Sequence, residues 1–299
     1  MHDLKTNSEI KTGIVILNYN SHDLTVALAK RLADYDAIDE ICVVDNHSQD
    51  DFDGEFQNDK IHYVKSEKNG GYNAGNNIGL RYLVEEKGCK YVFIANPDVT
   101  FENSAIVNMV RYFEKDEKLV LLSTKRYGYD NSIIHQYFDF PKLRDSIRSC
   151  FLITRLGVQK ARNFQQNFEI DHAIDGIRYV DAVPGAFFGL RSSFVQKIGF
   201  LWEGIFLYGE EIITGRQASE LGYKAGIINT DEYVHHHKMV SLTNMKMFWN
   251  DRVSASKYYK KFHLLNWYQQ LEFDIARGLG TLEYGLASFA MRLLRGGKR

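Results

Sequence analysis

The chain has 299 residues, with 37 Lys and Arg against 38 Asp and Glu, and its net charge of -1 excludes the basic excess of a nucleic-acid binder. Hydrophobic residues at 44%, charged residues at 25% and three prolines exclude a disordered or collagen-like chain. The three cysteines, Cys42, Cys89 and Cys150, are odd in number and far apart, which excludes a disulfide framework or a Cys-based zinc site and leads us to expect a reducing, cytoplasmic setting.

The polar start, MHDLKTNSE, lacks the apolar stretch of a signal peptide, and no apolar run approaches the ~20 residues that span a bilayer. From Thr12 to Ser123, short β-branched runs alternate with helical stretches, the pattern of a mostly parallel sheet covered by helices in an α/β fold. GIVILNY (13–19) reads as the first strand, 23–35 as a helix, ICVVDN (41–46) and IHYVKS (61–66) as strands, and 74–87 as a helix. YVFIAN (91–96) is a further strand, followed by a helix over 102–115 and a strand over 119–123. The stretch 127–175 has no strong period. Pattern resumes at Tyr179, with a Gly-rich loop PGAFFGL, helices over 192–198 and 211–221, a strand over 225–228 and helix from Asn244 onward.

In such sheets ligands lie beyond the carboxyl ends of the strands, where Asn18, Asp45 and Asp98 fall. Asp98 follows a proline that holds Asn96 extended, and a carboxylate so placed can share a divalent cation with diphosphate oxygens; Asn-Pro-Asp is equally a common turn. VVDNHSQD offers Asp45, Asn46, Ser48 and Asp50 as donors and acceptors, or as an Asx-type turn. In NGGYNAGNNIG the glycines 71, 75 and 79 recur every four residues, giving either a smooth face for a ligand or close packing of a helix on the sheet. It is neither the dinucleotide GxGxxG nor a P-loop. Glu210 and Glu211 immediately precede a helix, where a positioned carboxylate can act as general base or simply open a charged first turn. In HHH at 235–237, His235 and His237 share a face of an extended segment and carry nitrogens that can bind a metal.

Read in order, VILNYN, VVDNHSQD, NGGYNAGNNIG, NPDV, DAVPGAFFGL, FLYGEEI and HHH resemble glycosyltransferase family 2, especially its rhamnosyltransferase-like members, over roughly residues 13–241. The resemblance implies a GT-A fold at 1–243, with a Rossmann-like nucleotide-binding half to about 125 and an acceptor-binding half beyond it, followed by a helical extension over 244–299. It implies transfer of a sugar, with inversion, from a nucleotide-diphosphate donor such as dTDP-rhamnose or a UDP-sugar to a glycan or lipid-linked oligosaccharide acceptor of cell-surface polysaccharide synthesis. By position it makes Glu211 the catalytic base. It assigns Tyr19, Asn20, Asp45, Asn69, Gly71, Tyr72, Asn77, Asn96 and Asp98 to the nucleotide sugar, and Gly185, Ala186 and Glu210 to the acceptor. Asp98, His235 and His237 become ligands of Mg²⁺ or Mn²⁺. Asn96, Glu211 and Ile213 stand where the family usually shows aspartates, so an inactive binding module of the same fold is the competing reading.

Beyond Ser241, apolar Leu279, Leu282, Leu286, Phe289, Ala290 and Leu293 recur at three- and four-residue intervals among Arg277, Arg292, Arg295, Lys298 and Arg299. This helix fits an anionic membrane surface at the inner face of the plasma membrane, or packing on its own domain or across a homodimer.

Overall fold

A computed structural model describes residues 10–50, 52–151, 159–236 and 245–296. His237 therefore lies outside the described residues. The architecture is α/β, a nine-stranded sheet covered by helices. Strand β1 (Thr12–Asn18) pairs in parallel with β2 (Glu40–Asp45) and β4 (Tyr91–Ala95), and β2 pairs in parallel with β3 (Ile61–Lys65). Every residue of β1 and β4 is buried, so these strands read as unbroken apolar runs rather than alternating ones.

Beyond β4 the sheet turns mixed. β8 (Phe187–Arg191) runs antiparallel between β4 and β6 (Leu119–Gly128), and β9 (Lys224–His235) pairs in parallel with β6. β5 (Val99–Phe101) and β7 (Ile177–Val180) both pair antiparallel with β9. β8 corrects the reading of PGAFFGL as loop throughout: its first four residues are buried, and a short apolar run without alternation carries no strand period. β5 also escaped the sequence reading, because three residues are too few to show a pattern.

Helices cover both faces with apolar stripes. α1 (His22–Ala33) buries Leu28, Ala29 and Leu32, and α3 (Asn103–Lys115) buries Ala105, Ile106, Met109 and Phe113 at helical spacing. α2 (Tyr72–Arg81) lies so close to the sheet that a Cβ on Gly75 would sit 2.5 Å from Leu17, and one on Gly79 2.7 Å from Val15. Those two glycines serve packing. The irregular stretch resolves into α4 (Leu143–Ser149) and α5 (Gln159–Asp171). Short α6 (Ser192–Lys197) follows β8, and α7 (Glu210–Glu220) precedes β9.

The extension folds into two helices, α8 (Met245–Lys261) and α9 (Trp267–Gly296). They build a third core in which Tyr258, Tyr259, Phe273 and Ala276 meet Cys150, Ile205 and Ile213. The extension is thereby tied to α7. All three cysteines are free and buried.

Candidate active site

The carboxyl ends of the parallel strands open onto a cleft of about 530 Å³. Tyr19 and Leu24 line one side, Asn46, Asn69, Gly71 and Tyr72 the floor, and Asn96, Pro97 and Asp98 the next strand end. Phe206, Leu207 and Tyr208 close the far side, together with Met247 and Asn250 from α8.

Gly71 brings the floor together. Its φ of 93° lies in the left-handed region, and a Cβ there would stand 2.3 Å from the Phe206 carbonyl oxygen. The Tyr72 N–H donates to that same oxygen at 3.0 Å. Asn69 Oδ1 accepts from the Gly71 N–H at 3.0 Å and from Asn46 Nδ2 at 3.0 Å, which fixes the loop ahead of α2.

Asp98 and His235 meet across the β5–β9 pair, where Val99 stands opposite His235. A register break between Thr124 and Lys125 skips three residues of β9 and carries its last residues alongside Arg126 and β5. His235 Nε2 lies 3.2 Å from Asp98 Oδ1, and Arg126 donates from Nη2 to His235 Nδ1 at 3.0 Å. Guanidinium only donates, so Nδ1 accepts and Nε2 carries the proton it gives to Asp98. Among the described residues no three His, Cys, Asp or Glu converge as a metal cluster. What is present is one carboxylate, Asp98, on a cleft whose other polar side chains include Asn46, Asn69, Asn96 and Asn250. That fits a hard cation taking the rest of its shell from diphosphate and water. His235 fits as a ligand only in the other tautomer, with Arg126 withdrawn from Nδ1.

Glu211 reaches the same neighbourhood from α7. Its Oε1 accepts from the Gly185 N–H at 3.3 Å, while Tyr72 donates its hydroxyl to the Gly185 carbonyl and the Asn96 N–H donates to the Ala186 carbonyl at 2.8 Å. The 185–186 turn thus touches the Glu211 carboxylate, the cleft floor and the strand end that bears Asp98. Burial raises the Glu211 carboxyl above the ordinary carboxylate range, against the pull of its own backbone N–H and of Arg126. Glu210, 6% exposed, is pushed up to about 8 by burial and then by the charge of Glu211. Its Oε1 accepts from the Tyr208 N–H at 2.9 Å, which ties it to the turn ahead of α7, and it is absent from the cleft lining. The approach to α7 is strained: Tyr208, a bulky residue, has φ 71°, and Gly209 has φ 89°.

Other residues singled out in the sequence stand elsewhere. Asp45 is 0% exposed and absent from the cleft lining; its Oδ1 accepts from Asn18 Nδ2 at 2.9 Å and from Ser48, and Lys65 Nζ lies 3.6 Å from Oδ2. Asn77, 1% exposed, donates to Leu201 O at 2.8 Å and Glu203 Oε1 at 2.7 Å and accepts from the Leu201 N–H, binding α2 to the loop behind Phe206. Exposed Asn20 accepts from the Gln49 N–H at 3.1 Å at the rim. Ile213 is buried in the core of the extension. Sequence reasoning missed Arg126, Phe206, Tyr208, Met247 and Asn250. Phe206 and Tyr208 stand in FLYGEE beside the glutamates that drew notice, whereas Met247 and Asn250 carry no local signal.

The glycosyl transferase family 2 model matches residues 13–194, which leaves Glu211 and His235 beyond it. Over 200 residues the chain is 27% identical to the low-salt glycan biosynthesis hexosyltransferase Agl10 of Haloferax volcanii, covering 67% of this chain and 59% of that protein's length. Among solved structures it is similar to the mannosyltransferase PcManGT from Pyrobaculum calidifontis in complex with GDP-Man and Mn²⁺, with TM-score 0.57, 12% identity, and coverage of 95% of this chain and 75% of that one. It is also similar to GalNAc-T7 with UDP, GalNAc and Mn²⁺, with TM-score 0.51, 14% identity, and coverage of 77% and 44%. These likenesses give the fold as GT-A. With a family match over more than half its length, set on this strand-end cleft, the chain belongs to glycosyl transferase family 2.

Proposed function

We propose that this chain is an inverting hexosyltransferase of the rhamnosyltransferase-like kind, moving a sugar from dTDP-rhamnose or a UDP-sugar to a hydroxyl of a glycan acceptor. The acceptor in this reading is a lipid-linked intermediate of cell-surface polysaccharide synthesis, met in the cytoplasm. The observation that carries it is the 185–186 turn, which links Glu211, a carboxylate of raised pKa outside the cleft lining itself, to Tyr72 and Asn96, which line the cleft together with Asp98.

Each residue has a part. Tyr19, half exposed at the rim, offers a ring face to the base, and Asn69, Gly71 and Tyr72 form a floor for ribose and diphosphate. Asp98, with His235 behind it, would hold Mg²⁺ or Mn²⁺; when bound, the cation offsets negative charge on the departing diphosphate. Glu211 takes the proton from the acceptor hydroxyl, and burial, by raising its carboxyl above the ordinary carboxylate range, makes it a stronger base. One displacement from the opposite face inverts the anomeric centre. The relative Agl10, a hexosyltransferase, and the two solved structures, one with GDP-Man and Mn²⁺ and one with UDP, GalNAc and Mn²⁺, support this reading.

The test is a thermal-shift screen of nucleotide sugars with and without Mn²⁺, followed by assay of nucleoside diphosphate release from each donor that shifts melting. A donor that binds and is turned over supports transfer. A donor that binds without turnover under any acceptor supports the inactive module, and no stabilisation by any donor defeats the nucleotide-sugar reading.

A further inference from the structure

Helix α9 buries one side and leaves the other bare. Phe273, Ala276 and Tyr284 face inward, and Gly280 packs so tightly on the end of α4 that the Cys150 carbonyl oxygen leaves no room for a Cβ. The opposite side carries Leu271, Ile275, Leu279, Leu282, Leu286 and Phe289, each between 52% and 71% exposed. Their spacing of three and four residues sets them in a single row about 27 Å long. Together they present on the order of 700 Å² of apolar surface, above the ~300–600 Å² of the largest patch on a typical monomer.

The row matches itself when turned end for end. With a second copy of α9 laid antiparallel across it, about a twofold axis between Leu279 and Leu282, Leu279 of each copy faces Leu282 of the other. In the same register Ile275 faces Leu286, and Leu271 faces exposed Ala290. Glu283 falls opposite Gly278, where the space a Cβ would take is open, and Glu272 falls opposite Phe289. No acidic side chain of the row's margin meets its own copy. Covering both rows removes on the order of 1,400 Å², within the ~1,200–2,000 Å² of specific, stable interfaces. An anionic leaflet fits less well. From Leu271 to Ala290 the helix carries Glu272, Asp274 and Glu283 against Arg277, which turns to Asp274 at 3.4 Å and over the Trp249 ring. We infer that the outward face of α9 is the interface of a twofold dimer, in which two α9 helices pack antiparallel about Leu279 and Leu282.

The same hairpin forms part of the cleft. α8 contributes Met247 and Asn250 to the lining, and it holds the facing loop through Ser254 Oγ, which donates to Leu207 O at 3.0 Å, and Lys257 Nζ, which donates to Gly204 O at 2.7 Å. In the dimer each α9 lies between its own α4 and α8 on one side and its copy on the other, so pairing braces the cleft wall that α8 supplies. The interface itself stands apart from the transfer reading, and its test reads no activity.

The experiment is sedimentation velocity of the full chain across about 1–50 μM, a range in which an interface of this size holds. The expected result is a species of twice the 34.6 kDa chain mass. L282E/L286E changes two exposed positions, keeps the wild-type circular dichroism and sediments as a monomer across that range. Oxidation reads the register. I275C/L286C gives a dimer joined by reducible disulfides, whereas I275C alone does not, because its two copies lie about 16 Å apart along the helix axis. The three native cysteines are buried and take no part. A monomer at every concentration, a dimer that survives L282E/L286E, or cross-linking of I275C equal to that of I275C/L286C overturns the inference. If that monomer floats with phosphatidylcholine vesicles and L282E/L286E does not, lipid covers the row instead.

Discussion

Asp98 and His235 sit 3.2 Å apart across two antiparallel strands, with Arg126 donating to the far nitrogen of the same imidazole. Arg126 fixes which ring nitrogen bears the proton, so in the proposed metal site Asp98 is the member of the pair that would take the cation. Asp98→Asn keeps the acceptor for His235 and removes the charge. Calorimetry should then show Mn²⁺-dependent UDP binding weakened at least about tenfold, with metal-free binding unchanged. Equal affinity of variant and wild type in Mn²⁺ would remove Asp98 from the metal site.

Gly185 has no room for a side chain: a Cβ there would lie 2.7 Å from Glu211 Oε1. Gly185→Ala must push the carboxylate aside, so the expected outcome is a fall in kcat of about tenfold to a hundredfold with donor affinity kept. Loss of donor binding in step with kcat would mean that the turn shapes the donor pocket instead.

Gly71→Ala meets backbone rather than a yielding side chain, at a φ of 93° that L-residues avoid. It should cost at least about 2 kcal/mol and lower Tm by about 5 °C or more. An unchanged Tm would show that the Phe206 loop gives way freely.

The Glu210 carboxyl holds its proton to about pH 8 in the fold against 4.5 in its ordinary state, because it is buried beside Glu211. Between those values unfolding releases a proton, so the stability this group contributes is present below about pH 4.5 and is lost as pH rises toward 8. Melting temperatures across pH 5 to 8 should fall in the wild type and flatten in Glu210→Gln, whose amide oxygen can still accept from Tyr208. Parallel curves would contradict the burial of that proton.

The parallel strands β1, β2 and β4 were legible because buried strands write continuous apolar runs, and Asp98, Asn69, Gly71 and Tyr72, singled out in the sequence, line the cleft. The glycine repeat was ambiguous for a physical reason: Gly71 faces the cleft while Gly75 and Gly79 face the sheet, and the same spacing serves both. Asp45 and Asn77 lie outside the cleft lining: Asp45 Oδ1 accepts from Asn18 and Ser48, and Asn77 binds Leu201 and Glu203. Arg126, Met247 and Asn250 reach the site through strand register and the docking of α8, which no local pattern encodes.

The central claim is that Glu211 removes the acceptor proton, and Glu211→Gln tests it most directly, because the amide preserves shape and the contact with Gly185 but cannot act as base. With the donor identified by the thermal-shift screen, single-turnover transfer and donor affinity are measured side by side. The account predicts transfer slowed by about 10²–10⁴-fold with donor Kd within about twofold of wild type. Transfer within about threefold of the wild-type rate, with donor bound normally, would contradict it.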